Sequence, residues 1–226
     1  MSRVVAVVEG QTEQDFVRNV LAPWLGARGV FLTARLVGKP GHKGGVGEYP
    51  RARMDILVVL KSDPTVIVTT MFDFYGMPTS WPGRSLAKQE THSCKAQLLE
   101  NLLHDDISKV MGDSFNGSRF IPYIQLHEFE ALLFSDPATV YEVLRSPEKA
   151  DHIQKMRDGF VTPEEINDSP TTAPSKRLER LFADYRKRLH GVIAASRIGI
   201  QHMREECPHF NAWVEALERL AVKVEC

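Results

Sequence analysis

The chain has few cysteines, no long apolar run and no surplus of charge of either sign. Its three cysteines, Cys94, Cys207 and Cys226, are far apart and odd in number. That argues against a disulfide framework and fits a reducing cytoplasm. No pair has zinc-ligand spacing: Cys207 and His209, near His202, lack a fourth ligand and a second knuckle. No apolar stretch approaches the ~20 residues that span a bilayer, so no membrane contact is expected. Only Val4 to Val8 are continuously apolar near the start, and acids follow at once, so no signal peptide is expected either. The formal net charge of −1 supplies no global basic field for nucleic acid. Such a partner would have to be held by local patches or by metal ions.

What is present reads as an ordinary globular chain. Hydrophobic residues make up 43% and charged residues 25% of the 226, which argues against disorder and allows one α/β domain with a helical appendage. VVAVV (residues 4–8) is a β-branched run of the kind found in buried parallel strands. A helix follows from GQTE to Gly26, with Thr12 as candidate cap and Phe16, Val17, Val20, Leu21 and Trp24 at helical spacing. Residues 30–37, 65–72 and 119–126 read as further strands, the last with Pro122 marking an edge or a bulge. Helices are expected over 51–61 and 88–109. Beyond residue 136 strand signals fade, and 137–145, 147–157, 174–190 and 207–222 read as helical. The order predicts an α/β fold with a parallel-rich sheet of about four strands flanked by helices. Its boundaries are a core over 1–136 and a helical region over 137–226 packed on it.

In open α/β sheets, ligands gather beyond the carboxyl ends of the strands. Three of the four expected strands place acids there: Glu9, Asp73, and Glu128 with Glu130. Glu13, one helical turn after Glu9, either points back to the same place or serves as the acid of a helix cap. Glu130 is either a site residue or part of a wet helix face. Converging carboxylates repel unless a cation or protons sit between them. Such an oxygen-rich set suits Mg²⁺ or Mn²⁺, which can activate water and stabilise phosphoryl oxygens. His127, beside Glu128, reads as a general base, a ligand or a core residue, with a structural or supporting role favoured.

VVEGQTE with MFDFYG resembles a TOPRIM domain, the metal-binding α/β module of type IA topoisomerases, primases and overcoming-lysogenization-defect nucleases. The resemblance implies Glu9 and Asp73 as metal ligands, and Glu13 as a further one in the nuclease branch. EGQTE, the GKPGHKGG loop, FDFYG, HEFEALLFSD and SPTTAPSKRL together resemble the bacterial family called domain of unknown function 4276, over nearly the whole chain. It implies a Mg²⁺- or Mn²⁺-dependent nuclease with an ABC-type ATPase partner in anti-phage defence. One departure stands out. Tyr75 occupies the place of the second Asp of Asp-x-Asp, and a phenol is a poor Mg²⁺ ligand at neutral pH. Either the site holds fewer metals, or Glu128, Glu130 or Asp136 supplies the oxygens. A non-catalytic TOPRIM-like binding subunit is the alternative.

Two segments carry local basic surpluses of four charges each, residues 35–61 and 176–190. In the glycine-rich stretch 38–47, backbone N–H groups with Lys39, His42 and Lys43 could contact phosphate, although the Walker A ending is missing. Lys176 and Arg177 fall in the first turn of an expected helix, where the dipole disfavours cations. A bound anion would relieve that conflict. The same turn reads equally as a plain helix capped by Ser175 or Thr172. Trp24, Trp81 and Trp213 read as packing residues, with Trp81 also placed to stack a base. The oligomeric state stays open.

Overall fold

The computed structural model describes residues 2–38, 47–166, 169 and 171–221, and all their side chains except those of His92 and Ser93. Lys39, His42 and Lys43 lie outside the described residues, and so does most of the glycine-rich stretch.

The architecture is α/β with a parallel sheet. Strand β1 (Ser2–Val8) leads into α1 (Gln11–Phe16), a π-helical segment over Val17–Leu21, and α2 (Ala22–Gly26). Then come β2 (Val30–Leu36), α3 (Tyr49–Ser62) and β3 (Ile67–Asp73). The short α4 (Arg84–Ala87) and the long α5 (His92–Met111) follow, then β4 (Phe120–Ile121) and β5 (Ile124–Gln125). The expected fourth strand is thus split at Pro122, which cannot donate to a ladder. Both halves pair in parallel with β3. The strand order is β2-β1-β3-β4, with β5 also on β3. The chain reverses its direction of winding between β1 and β3. The carboxyl ends of these two strands are the topological switch point, the place where such sheets bind ligands.

Alternation along the strands builds two cores. Val4, Ala6 and Val8 of β1 and Met71 of β3 face one side, while Val7, Val68 and Phe72 face the other. The second side is covered by α3 and α5. The first is covered by α1 and by the helices after residue 136: α6 (Pro137–Val143), α7 (Ala150–Asp158), α8 (Pro174–Leu181), α9 (Val192–Glu206) and α10 (Pro208–Glu218). Phe16, Phe129, Phe210 and Trp213 belong to this same core.

Two local expectations are corrected, and one helix was not expected at all. The helix after β1 starts at Gly10 with no side-chain cap, so Thr12 is not its cap. The expected helix 174–190 ends at Leu181, and a separate π turn covers Lys187–Gly191. Helix α9 was hidden by the glycines and β-branched residues of GVIAASRIGI. It kinks at Gly199 (φ 80°, ψ 156°), a backbone conformation that glycine adopts without a Cβ clash. Among the described residues no helix is long and apolar enough to cross a membrane.

Candidate functional site

Strand geometry aims the acids at one another. Glu9 follows the last residue of β1, and Asp73 ends β3. Glu9 Oε2 accepts the Asp73 backbone N–H at 3.0 Å, which ties the two strand ends together. Asp73 Oδ1 accepts the Phe129 N–H at 3.0 Å, which draws in the segment after β5. That segment, the 3₁₀ stretch Phe129–Ser135, is wholly buried, and Glu130 within it is 0% exposed. Glu13, 2% exposed, reaches the cluster from the first turn of α1. Gly10 makes room for it: a Cβ there would stand 2.6 Å from Glu13 Oε2.

At the centre stands a residue the sequence reading counted only as part of a basic surplus. The ammonium of Lys187 lies 3.0 Å from Glu130 Oε2, 3.4 Å from Asp73 Oδ2 and 3.9 Å from Glu13 Oε1. Its stem is part-exposed while its tip is ringed by carboxylates. Tyr185 donates its hydroxyl proton to Glu130 Oε1 at 3.3 Å. Arg188 fastens the same turn to α1 through Asp15 (2.6 Å) and Gln11 (2.9 Å).

The electrostatics follow from burial. Glu9 is pushed up to about 7, first by burial and then by the Glu13 charge, against the Asp73 N–H and Lys187. Burial also raises Asp73 well above the ordinary carboxylate range; Lys187 opposes this, and Glu9, Glu13 and Glu130 add to it. Glu130 is raised for the same first reason. Burial alone would lower Lys187, but Glu130, Asp73 and Glu13 outweigh it and hold the lysine well above its usual value. The cluster is therefore a set of acids that favours cations and protons, with one ammonium built in.

Glu128 and the other expected residues have specific partners. Glu128 Oε2 accepts the Ser175 backbone N–H at 2.9 Å, in the first turn of α8. The anion at that helix start is thus a side chain of the protein itself. Neither Ser175 nor Thr172 caps α8. Lys176 pairs with Glu179 at 2.6 Å, and Arg177 donates to Thr172 O at 2.7 Å and lies over the Phe160 ring. Asp136 caps α6, accepting from Ala138 and Thr139, so it does not replace the second Asp. Tyr75 bonds through its backbone N–H to His127 O at 2.9 Å. His127 is buried with its ring edge-on to Phe74, and Trp81 is buried and bonded to Gly47 O.

A family model described as Domain of unknown function (DUF4276) matches residues 8–218. The chain belongs to that family. No curated protein and no solved structure matches the chain. In this DUF4276 chain, Glu13, Asp73 and Glu130 come together on Lys187, Glu9 is tied to Asp73 through its backbone N–H, and Glu128 bridges to α8. Among the described residues, no group of three or more His, Cys, Asp or Glu stands already arranged as a metal-binding set. Lysine has taken the central place. Lys187 and Tyr185 are the site residues that sequence reasoning missed. The only signal was the dense basic run RKR at 186–188, which reads as surface charge.

Proposed function

We propose that this chain is a metal-dependent phosphodiesterase, a TOPRIM-like nuclease acting on nucleic acid with an ABC-type ATPase partner in bacterial anti-phage defence. The observation that carries this reading is the convergence of buried carboxylates at the switch point between β1 and β3. The donor set suits Mg²⁺ or Mn²⁺. Every donor is a hard carboxylate oxygen. Among the described residues, the buried oxygens Glu13 Oε1 and Glu130 Oε2 have only the Lys187 ammonium for company. Glu9, Glu13 and Asp73 would hold the ion, with Glu128 or Glu130. A bound divalent ion supplies activated water and stabilisation of phosphoryl oxygens. The protein's own residues do the rest. Asp73 N–H orients Glu9, Tyr185 orients Glu130, and Lys187 offers its ammonium to phosphodiester charge. The test is to incubate the protein with plasmid DNA and transfer RNA in Mn²⁺, with and without the ATPase. Cleavage that Glu9→Gln abolishes supports the reading. No cleavage in either setting, or equal cleavage by the variant, refutes it.

Two observations favour the second reading, a non-catalytic binding subunit. Lys187 already neutralises much of the cluster, and Tyr75 stands where the TOPRIM pattern has an acid. Thermal melting separates the two. A rise in Tm with Mn²⁺ that is lost in Asp73→Asn supports the metal site, whereas an unchanged Tm supports the binding subunit.

A further inference from the structure

Between α5, the edge strand β4 and α10 lies a cleft of about 280 Å³. None of the acids around Lys187 lines it. It is just below the roughly 300 Å³ at which drug-sized ligand sites begin, so its occupant is about one heterocycle in size.

At its inner end is an ion pair outside the acid cluster. Glu100 is 8% exposed, and its Oε1 takes two bonds: the Ile124 backbone N–H at 2.8 Å and His209 Nε2 at 2.9 Å. Among the described residues nothing donates to Glu100 Oε2. Glu100 and His209 hold each other by a direct hydrogen bond, and among the described residues no lysine or arginine lines the cleft. A phosphate would face the Glu100 carboxylate with no lysine or arginine beside it, and a cationic ligand would compete with His209. A neutral ligand carrying a hydrogen-bond donor fits. At the rim, Gln97 Nε2 donates to Asn101 Oδ1 at 3.0 Å. That leaves the Gln97 carbonyl oxygen and the Asn101 amide as an acceptor and a donor side by side. The walls are aromatic and rigid: Tyr123 stacks on Trp213 at 4.0 Å with an interplanar angle of 5°, and the half-exposed His104 ring stacks on Phe120. Ala212, exposed on α10, keeps the mouth open.

We propose that this cleft binds a planar heterocycle bearing an exocyclic amino group, of adenine or cytosine type, which donates to Glu100 Oε2. The ring edge then meets the Gln97 and Asn101 amides and its body packs beside the half-exposed His104, whereas Tyr123 is itself sandwiched between Trp213 and His209. A buried acceptor discriminates strongly against an analogue with oxygen in place of the amino group, because two acceptors would face each other.

The experiment is calorimetric titration of the full chain with adenosine and cytidine against inosine and uridine. It reads no cleavage, so its outcome is independent of the nuclease reading. The expected result is binding of at least one amino nucleoside, at least tenfold tighter than its oxo counterpart. Glu100→Gln, which keeps an acceptor for His209 and Ile124 but turns an NH₂ to the cleft, is expected to reverse that order. Ala212→Trp, at an exposed position, is expected to abolish binding with Tm unchanged. Should Glu100→Gln fail to fold, the wild-type comparison and Ala212→Trp decide alone. No heat with any nucleoside, equal affinity within the amino–oxo pairs, or undiminished binding by Ala212→Trp overturns the proposal.

Discussion

Burying carboxylates beside one another costs stability, and at Glu9 the cost has a sign that can be measured. Its folded value of about 7 lies above its ordinary 4.5, so its contribution to stability is lost as pH rises through 7. Glu9→Gln keeps the acceptor for Asp73 N–H and removes the charge. It is therefore expected to raise stability at pH 8 by about 1–3 kcal/mol, read as a higher Tm, while on the proposed nuclease reading cleavage is lost. Lower stability together with lost activity would instead mean a purely structural acid. Lys187 predicts the converse. Removing an ammonium from among buried acids leaves them uncompensated, so Lys187→Met is expected to destabilise by about 3 kcal/mol at neutral pH, read by urea denaturation. If the acids hold metal, millimolar Mn²⁺ recovers much of that loss. His209 sets a pH dependence away from the cluster. Burial alone would lower it, but the Glu100 hydrogen bond and the Glu100 and Glu164 charges raise it above 6.5. Its stabilisation is full below pH 6.5 and is lost as pH rises through the folded value. The gap in Tm between wild type and His209→Gln should accordingly shrink from pH 6 to pH 9.

Elements place these residues through a few backbone positions. Gly10 begins α1 at φ −141°, which any residue adopts, so its importance lies in space and not in strain. Gly10→Ala brings a Cβ against the Glu13 carboxylate. The expected outcome is a small change in Tm and, on the proposed nuclease reading, cleavage reduced about a hundredfold, the order that a misplaced active-site group costs. Gly199 is the opposite case. At φ 80° a Cβ meets no neighbour within 4 Å, but the backbone conformation is all but restricted to glycine. Gly199→Ala is expected to cost roughly 1–3 kcal/mol in urea denaturation with the site unchanged.

On the scale of the whole molecule, the sheet face that carries Asp73 is covered by the region after residue 136. Val4, Met71 and Phe16 share one core with Phe210, Trp213 and Leu217, and Lys187 enters the acid cluster from that side. A chain cut after Asp136 would expose that core face and leave the acids without their ammonium. The expected outcome is loss of the cooperative melting transition with binding of a hydrophobic dye; an intact sharp transition for 1–136 would show an independent core.

Much of this was legible in the sequence. The β-branched runs of β1 and β3, each ending at an acid, predicted a parallel sheet and the edge where carboxylates gather, because strand period and strand direction are local properties. Pro122 announced the break in the edge strand. Glu13 stayed open between ligand and cap, since spacing alone cannot tell which way a side chain turns. The tertiary structure decided that it turns inward, with Gly10 making room. It also decided what sequence could not hold at all: that Lys187, 114 residues after Asp73, brings its ammonium into the cluster, and that Glu128 caps α8. Contacts between distant segments arise from how the C-terminal helices pack across the sheet, and no periodicity in either segment records them.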